Sequence, residues 1–363
     1  MKKTIITKNL FIIISLLFGL AFTATGQKPV ILESNGTSTA FGAPDAFINA
    51  YNAASDGDTI YLGGMGYTIP NPFEKQLTVY GAGYHPDHTE ATGQTFVSGT
   101  VNIRAGASGS RFEGIRFSGE ILFAEEKITD ITFHRCYFGY RGGSSQITLN
   151  GLEEDPSDNI TISESILTHR LTGRRTINLN LYNNIIHANV SAILREIEHG
   201  WISNNIIIGA ARSTFVSGVL EDVHHTTIEN NIIHNSETTR ADSMFINMQN
   251  NTIRRNVIRS GSNMRADVVN NNIFTDNYFN INIEDIFINY PGGNFSFEGD
   301  YNLIEPETFM GTTGNQVGIY GGITPFKANT RPSNLQIMSA NIAAQAGSDG
   351  GLNVQIEVEA QDY

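Results

Sequence analysis

Residues 226–235 read TTIENNIIHN, and altered forms of the phrase return as NITISESILT (159–168), WISNNIIIGA (201–210) and NTIRRNVIRS (251–260). Aligned on a shared turn position, the copies place Cys136, Ser165, Asn184, Asn205, Asn231, Asn256 and Asn277 in one column, at spacings between 19 and 29 residues. Self-similarity at such a period predicts a solenoid, and units this short and this rich in Ile and Val predict strands over helical pairs. The unit is read as one coil of a parallel β-helix.

Two columns flank the turn. Three residues before it stand Phe133, Ile162, Leu181, Ile202, Ile228, Ile253 and Phe274; two after it stand Phe138, Leu167, Ile186, Ile207, Ile233, Ile258 and Phe279. Both are wholly apolar. Strand side chains alternate between faces, so these are the inward rows, each stacking on the coil below at about 4.8 Å. The Asn between them is expected to take the left-handed conformation of a sharp corner and to hydrogen-bond along the stack. Apolar residues directly after it, such as Ile232 and Val257, have no placement in this scheme. Asn159, Asn178, His199, His225, Asn250 and Asn271 form a second column and predict a second corner. The remaining strand of each coil is expected over 191–194, 215–219, 244–248, 267–269 and 285–288, on the side where unit length varies and loops leave.

Earlier segments (DTIYLGG from Asp58, LTVYGAG from Leu77, FVSGTVNIRAG from Phe96, RFEGIRF from Arg111) extend the stack. About ten to twelve coils follow, a rod on the order of 50 Å. An open end would expose apolar rows and strand edges. Phe47, Ala50, Tyr51 and Ala54 recur at helical spacing after Pro44 and predict a capping helix there. Beyond Tyr301 the repeat stops, and the segments around SDGG (348–351) predict a β-hairpin. The chain therefore divides into a leader (1–26), the capped β-helix (27–310) and a C-terminal β extension or tail (311–363).

Lys2, Lys3 and Lys8 precede an apolar run, with small residues at Ala24 and Gly26, the pattern of a secretory signal cut before Gln27. No later stretch is apolar for the roughly 18 residues a membrane span needs. The expectation is an exported protein, secreted or held at the cell surface or in a periplasm, with no transmembrane segment. One cysteine permits no internal disulfide. A net charge of -13 argues against nucleic acid, which is bound through accumulated Lys and Arg. Charged residues make up only 16% of the chain, so Asn, Thr, Ser and Gly supply the surface polarity, in keeping with strands and tight turns.

The opening PDAFINAYNAASDGDTIYLGGMGYT (44–68) and the stacked N-N-I-I coils resemble the pectin-lyase-like superfamily of right-handed parallel β-helices, over roughly residues 44–304. The resemblance implies an all-β right-handed solenoid, exported, with a polysaccharide as partner. It leaves the reaction open, since such proteins include lyases, hydrolases, epimerases and members without catalysis. Lyases of this kind that act on chondroitin or alginate pair a Lys with an Arg on neighbouring coils, whereas here Lys127 is the only lysine between Lys75 and Lys327. The polygalacturonase motifs and the calcium clusters of pectate lyases are missing.

The residues offer one repeated signal, Arg240-Ala241-Asp242 and Arg265-Ala266-Asp267, 25 residues apart, with Arg212 28 residues before Arg240. Coil spacing would put the arginines in one row and the aspartates in another, with Asp285 as a third. A lyase needs a cation against the uronate carboxylate, a base for the ring proton and an acid for the leaving oxygen. Arg240 and Arg265 could neutralise, and His234, His187 or another Arg could be the base. Asp242, Asp267 and Asp285 also allow a hydrolase, because carboxylates one or two coils apart would lie about 5 or 10 Å from each other. An ion-pair ladder between coils accounts for the same residues with no chemistry. His187, His234 and Arg259 share a column expected to face outward on a polar surface, as substrate contacts or as plain surface. His199 and His225 are read as corner residues, and zinc is not expected because no H-x-x-x-H spacing occurs. Calcium could bind the acidic runs at Glu153, Glu154, Asp155 and Asp158 or at Glu221 and Asp222, but a solvated loop is the safer reading of them. Trp201 and Tyr182 could stack on a sugar ring. The expected function is thus binding or cleavage of an extracellular, acidic polysaccharide, by β-elimination if it is an enzyme, with a non-catalytic envelope or adhesive scaffold as the alternative. The oligomeric state is not legible.

Overall fold

The copies of the phrase lie directly on one another. In the computed structural model, which describes residues 29–89, 92–139, 146–188, 190, 192–209, 218–235, 244–259, 271–329, 331–334, 336–342, 345, 350–351 and 353–359, the chain winds as a parallel β-helix. Phe133 pairs with Ile162, and that row continues through Leu181, Ile202, Ile228 and Ile253 to Phe274. The second row runs from Phe138 through Leu167, Ile186, Ile207, Ile233 and Ile258 to Phe279. Every member but Phe274 and Phe279, at the far end, is buried. The first sheet runs from Thr59–Tyr61 to Ile273–Thr275 and the second from Gly66–Thr68 to Tyr278–Phe279. The third is shorter, from Val101–Ile103 to Phe245–Ile246 among the described residues. About eight turns result, slightly fewer than the sequence suggests, and the chain leaves the helix after Phe279.

The first corner divides its work between two residues. The left-handed conformation falls one position earlier than expected, at Asn183, Asn204, Asn230 and Arg255, with φ of 54, 57, 58 and 53°. The column Asn that follows turns its amide inward. Asn231 Oδ1 accepts from Asn205 N (2.8 Å) and Nδ2 (2.9 Å), while Asn231 Nδ2 donates to Asn256 Oδ1 (3.0 Å) and to the carbonyl of Ile202 (2.8 Å). The pattern repeats from Asn184 to Asn277 and continues through the Ser165 hydroxyl to Cys136 N. Each amide thus satisfies backbone groups that the corner would otherwise strand in the core. At the second corner the column residues themselves are left-handed, Asn159, Asn178, His199, His225, Asn250 and Asn271 all lying between 50 and 55° in φ.

The third strand is displaced from its expected place, to Leu194–Glu198 and Leu220–His224 in the best-formed coils. Glu196, Asp222 and Asn247 have positive φ there, so the inward residues are three apart (Leu194 and Ile197, Leu220 and Val223, Phe245 and Met248). A bulge of this kind breaks the two-residue alternation by which strands are recognised. No such strand forms over 285–288: Ile283–Asp285 is a 3-10 turn, and Phe287–Asn289 pairs antiparallel with Asp300–Leu303.

The near end is closed as expected by a helix, Ala46–Ala53, which buries Phe47, Ala50 and Tyr51. Lys75 Nζ donates to the carbonyls of Tyr51 (2.8 Å) and Ala54 (2.7 Å), where the helix end leaves acceptors free. A hairpin of Val30–Ser34 and Thr37–Phe41 adds antiparallel to Thr59–Tyr61 and covers the strand edge.

The residues that follow the corner Asn find their place under the C-terminal chain. Ile185, Ile206, Ile232 and Val257 face outward from the second sheet and are buried because residues 283–326 fold back along it, contributing Ile286, Phe287, Leu303, Val317 and Ile319. The first Asn of each pair ties down this strap. Asn183 Nδ2 donates to the carbonyls of Ile319 (2.8 Å) and Gly321 (3.0 Å), and the Asn230 side chain both donates to Thr312 Oγ1 (2.9 Å) and accepts from Thr312 N (2.8 Å). Further along, Arg135 Nη1 donates to the carbonyl of Arg331 (3.0 Å), and Ser333 N donates to Glu113. The expected hairpin follows, Gln336–Ile342 against Val354–Glu359.

Asn231→Ala should cost about 2–4 kcal/mol in a denaturant titration, since it orphans several buried groups at once. Asn271, exposed and left-handed with φ of 55°, should accept Gly within about 0.5 kcal/mol yet lose about 1–2 kcal/mol on change to Val. Equal losses for Asn231→Ala and Asn271→Gly would contradict the division of roles.

Candidate functional site

The first sheet keeps an outer face that the fold-back over the second sheet leaves partly open to solvent. Its side chains come from the positions on either side of the first inward row. One column passes through Tyr182, Ser203, Glu229 and Arg254, and Trp201 stands in the other, above Asn180. Trp201 is 42% exposed and lies tilted against Tyr182, with ring centroids 6.1 Å apart. Glu229 fixes it there: Oε1 accepts from Trp201 Nε1 (3.1 Å), and Oε2 accepts from Arg254 Nε (2.7 Å). The carboxylate itself is buried, so swinging the indole away would leave Oε1 without this donor while Oε2 stays paired with Arg254. The result is an exposed indole with a tilted tyrosine against it and a guanidinium nearby, drawn from four successive coils.

Two other groups lie on the same face. Near the capped end Tyr61 and Tyr80 stack at 5.6 Å, beside an open cleft of about 610 Å³ that Glu33, Asp56 and Asp58 help to line. Burial, with help from the Glu33 carboxylate that accepts its hydroxyl at 3.0 Å, pushes the Tyr61 phenol up to about 12. In mid-rod the face is closed by residues 331–333 over a cluster of charges. Arg135 is fully buried and donates Nε to Glu164 Oε2 (2.9 Å), and His134 Nδ1 meets Ser163 Oγ at 2.8 Å. Burial, then the nearby Arg135 and Arg111, drives the His134 imidazole down to about 2, so it stays neutral. This cluster locks strap to rod.

The residues singled out in the sequence fare differently. Arg212, Arg240, Asp242, Arg265 and Asp267 lie outside the described residues. His187 and His234 do share a column, with Ile208 between them, but the exposed polar surface expected there does not exist. The strap encloses both: His187 Nδ1 meets Tyr301 Oη at 3.2 Å and Nε2 meets Tyr290 Oη at 3.4 Å, while His234 Nε2 faces the Ile281 carbonyl at 3.3 Å. Arg259 is half-buried next to His234. Asp285 belongs to no row of coil aspartates, since it sits on the 3-10 turn where the strap begins, exposed and joined to Asn282. Of the acidic runs considered for calcium, Asp155 pairs with Lys127, Glu153 with Arg175, and Asp158 accepts from Asn178. Glu229 and Arg254 were not picked out in the sequence. The signal for them is the column directly after the first inward row, which alternation sends to the outer face.

These features define a member of the parallel β-helix class. No family model matches the chain, and no curated protein does. Among solved structures the chain is similar to PfbA, a surface adhesin of Streptococcus pneumoniae, with 12% identity and a TM-score of 0.34 over 69% of this chain and 75% of that one. It is also similar to a glycoside hydrolase, with 10% identity and a TM-score of 0.28 over 60% of this chain and 38% of the other. Among the described residues no helix is long and apolar enough to cross a membrane.

The enclosed histidines make the strap sensitive to acid. Burial lowers His187 and His234 to about 4 from an ordinary 6.5. Above pH 6.5 both are neutral, folded or unfolded, and contribute no pH dependence; between 6.5 and 4 the unfolded chain binds more protons, so stability falls as the pH falls. The loss should approach roughly 3 kcal/mol per histidine by pH 4, read as a falling denaturant midpoint. His187→Gln should flatten that slope, and an unchanged slope would mean the imidazole is not held neutral.

Proposed function

We propose that this protein is an exported β-helix that binds an extracellular polysaccharide along the outer face of its first sheet. The observation that carries the reading is the Trp201 platform: an indole that Glu229 holds open to solvent against Tyr182, on a surface with polar partners on both sides. Pyranose rings present an apolar face of C–H groups and a rim of hydroxyls. A fixed aromatic plane suits the face, and Asn180 and Arg254 nearby suit the rim. The Arg254 guanidinium, shared with Glu229 but half-exposed, favours a chain bearing uronate carboxylates. Export rests on the leader read in residues 1–26.

Cleavage by β-elimination is the second reading, and it rests on the repeated Arg-Ala-Asp sequence. Arg240 and Arg265 would neutralise the uronate carboxylate, with Asp242 and Asp267 beside them. His187 and His234, being enclosed, do not meet a glycan on the surface, so the base in this reading comes from elsewhere. A non-catalytic envelope or adhesive scaffold is the remaining alternative.

Trp201 is the only tryptophan, so its fluorescence reports directly on the platform. Titration with a uronate polymer should shift the emission, and Trp201→Ala should weaken binding about tenfold in calorimetry, a loss of about 1.4 kcal/mol. Arg254→Ala should weaken a uronate polymer more than a neutral one. If neither polymer moves the fluorescence or gives heat, the scaffold reading stands in place of this one. Ultraviolet absorbance of unsaturated sugar ends, abolished by Arg240→Ala, would add elimination to binding.

A further inference from the structure

The second corner carries an arrangement that the glycan reading does not use. Its column reads Asn159, Asn178, His199, His225, Asn250 and Asn271. In the first of these coils the corner amide closes on a carboxylate of the coil below: Asn159 Nδ2 reaches Asp130 at 2.6 Å, and Asn178 Nδ2 reaches Asp158 at 2.7 Å. Asp158, Ile177 and Glu198 stand in one register, so Glu198 is the carboxylate two coils on from Asp158. There the closure fails. Glu198 Oε1 stands 3.6 Å from His225 Nδ1 and 3.9 Å from His199 Nε2, and the two imidazoles are stacked 4.9 Å apart. All three side chains are exposed, and one ligand atom from each lies within 4.8 Å of the others.

These separations are too long for hydrogen bonds. The two separations from Glu198 are slightly longer than the roughly 3.4 Å between ligand atoms about 2.0–2.2 Å from a tetrahedral zinc, and because the rings lie only 15° from parallel, one exposed imidazole must turn about its Cβ–Cγ bond to bring both nitrogens onto one ion. We propose that Glu198, His199 and His225 form a site for a divalent transition cation of the zinc type. Two imidazoles and a carboxylate suit zinc or its neighbours better than calcium or magnesium, which prefer all-oxygen sets. The two histidines are held in register by backbone bonds, His199 N to the His224 carbonyl (3.1 Å) and His225 N to the Gln249 carbonyl (3.0 Å). Asn250 supplies the outer support. Asn250 Nδ2 lies 3.0 Å from His225 Nε2, and a flip of that amide would put its oxygen there to accept the Nε2 proton, leaving Nδ1 its lone pair for the metal. Three protein ligands leave a position open to water or to an incoming donor.

The test stands apart from any glycan. Zinc chloride titrated calorimetrically into the purified chain, carrying no oligohistidine tag, should show one saturable site at neutral pH. Cobalt(II) should give the visible bands of a four-coordinate ion. His199→Asn and His225→Asn each install the residue that this corner bears in neighbouring coils, so their circular dichroism and metal-free melting should match the native protein. Each should weaken zinc by at least about tenfold, and Glu198→Gln should weaken it too. No saturable zinc binding by the native chain, or the same binding in the double histidine variant, overturns the proposal.

Discussion

The buried amide ladder at the first corner governs the rest of the molecule. A parallel stack brings like residues together, and at a corner the backbone must bend away from its ladder partners while still inside the core. An Asn side chain answers that need because it carries one acceptor and two donors, enough to serve the coil above, the coil below and a carbonyl of its own turn. Once Asn184, Asn205, Asn231 and Asn256 are joined this way, slippage by a single residue would break every link and send each inward Ile to the wrong side. The ladder therefore fixes register, and register fixes which side chains meet on the outer faces.

Those outer faces are used unequally. The second sheet bears Ile185, Ile206, Ile232 and Val257 outward and is covered by the strap; the first bears Thr, Asn, Tyr, Trp, Glu and Arg, with Trp201 and Arg254 exposed and Ser203 and Glu229 buried among them. The two-Asn corner connects these choices. One amide works inside the core, and its neighbour, on a left-handed backbone, works outside on the strap. The opening phrase ENNII thus encodes, in order, a buried carboxylate under the aromatic platform, a strap anchor, a ladder rung, a covered isoleucine and a core isoleucine.

Much of this was legible because parallel coils translate sequence period directly into contact. Both inward rows, both corners, the capping helix and the terminal hairpin follow from spacing and residue type. What escaped did so for physical reasons. The bulges at Glu196 and Asp222 shift the third strand out of the alternating pattern. The strap has no period of its own, so nothing in residues 283–326 announces that it will lie over His187 and His234. Spacing showed correctly that these histidines share a column, but whether a column is wet or dry depends on chain far away. Glu229 and Arg254 share a column, but the bond from Trp201 to Glu229 runs diagonally between columns, and a column-by-column reading does not see diagonals. The Arg240 and Arg265 segment lies outside the described residues.

The strap also sets an order of assembly. Ser333 meets Glu113 and Arg331 meets Arg135 across 220 and 196 residues of chain, whereas adjacent coils meet across a few tens. Closing so large a loop is entropically costly and offers no contact until the coils already exist. The rod must therefore form with its greasy flank bare, and the last part of the chain to arrive is the part that shields it. In that sense the C-terminal segment behaves as a tethered chaperone that stays with its client, and a polypeptide stopped short of residue 283 would be a well-wound rod with a side that sticks.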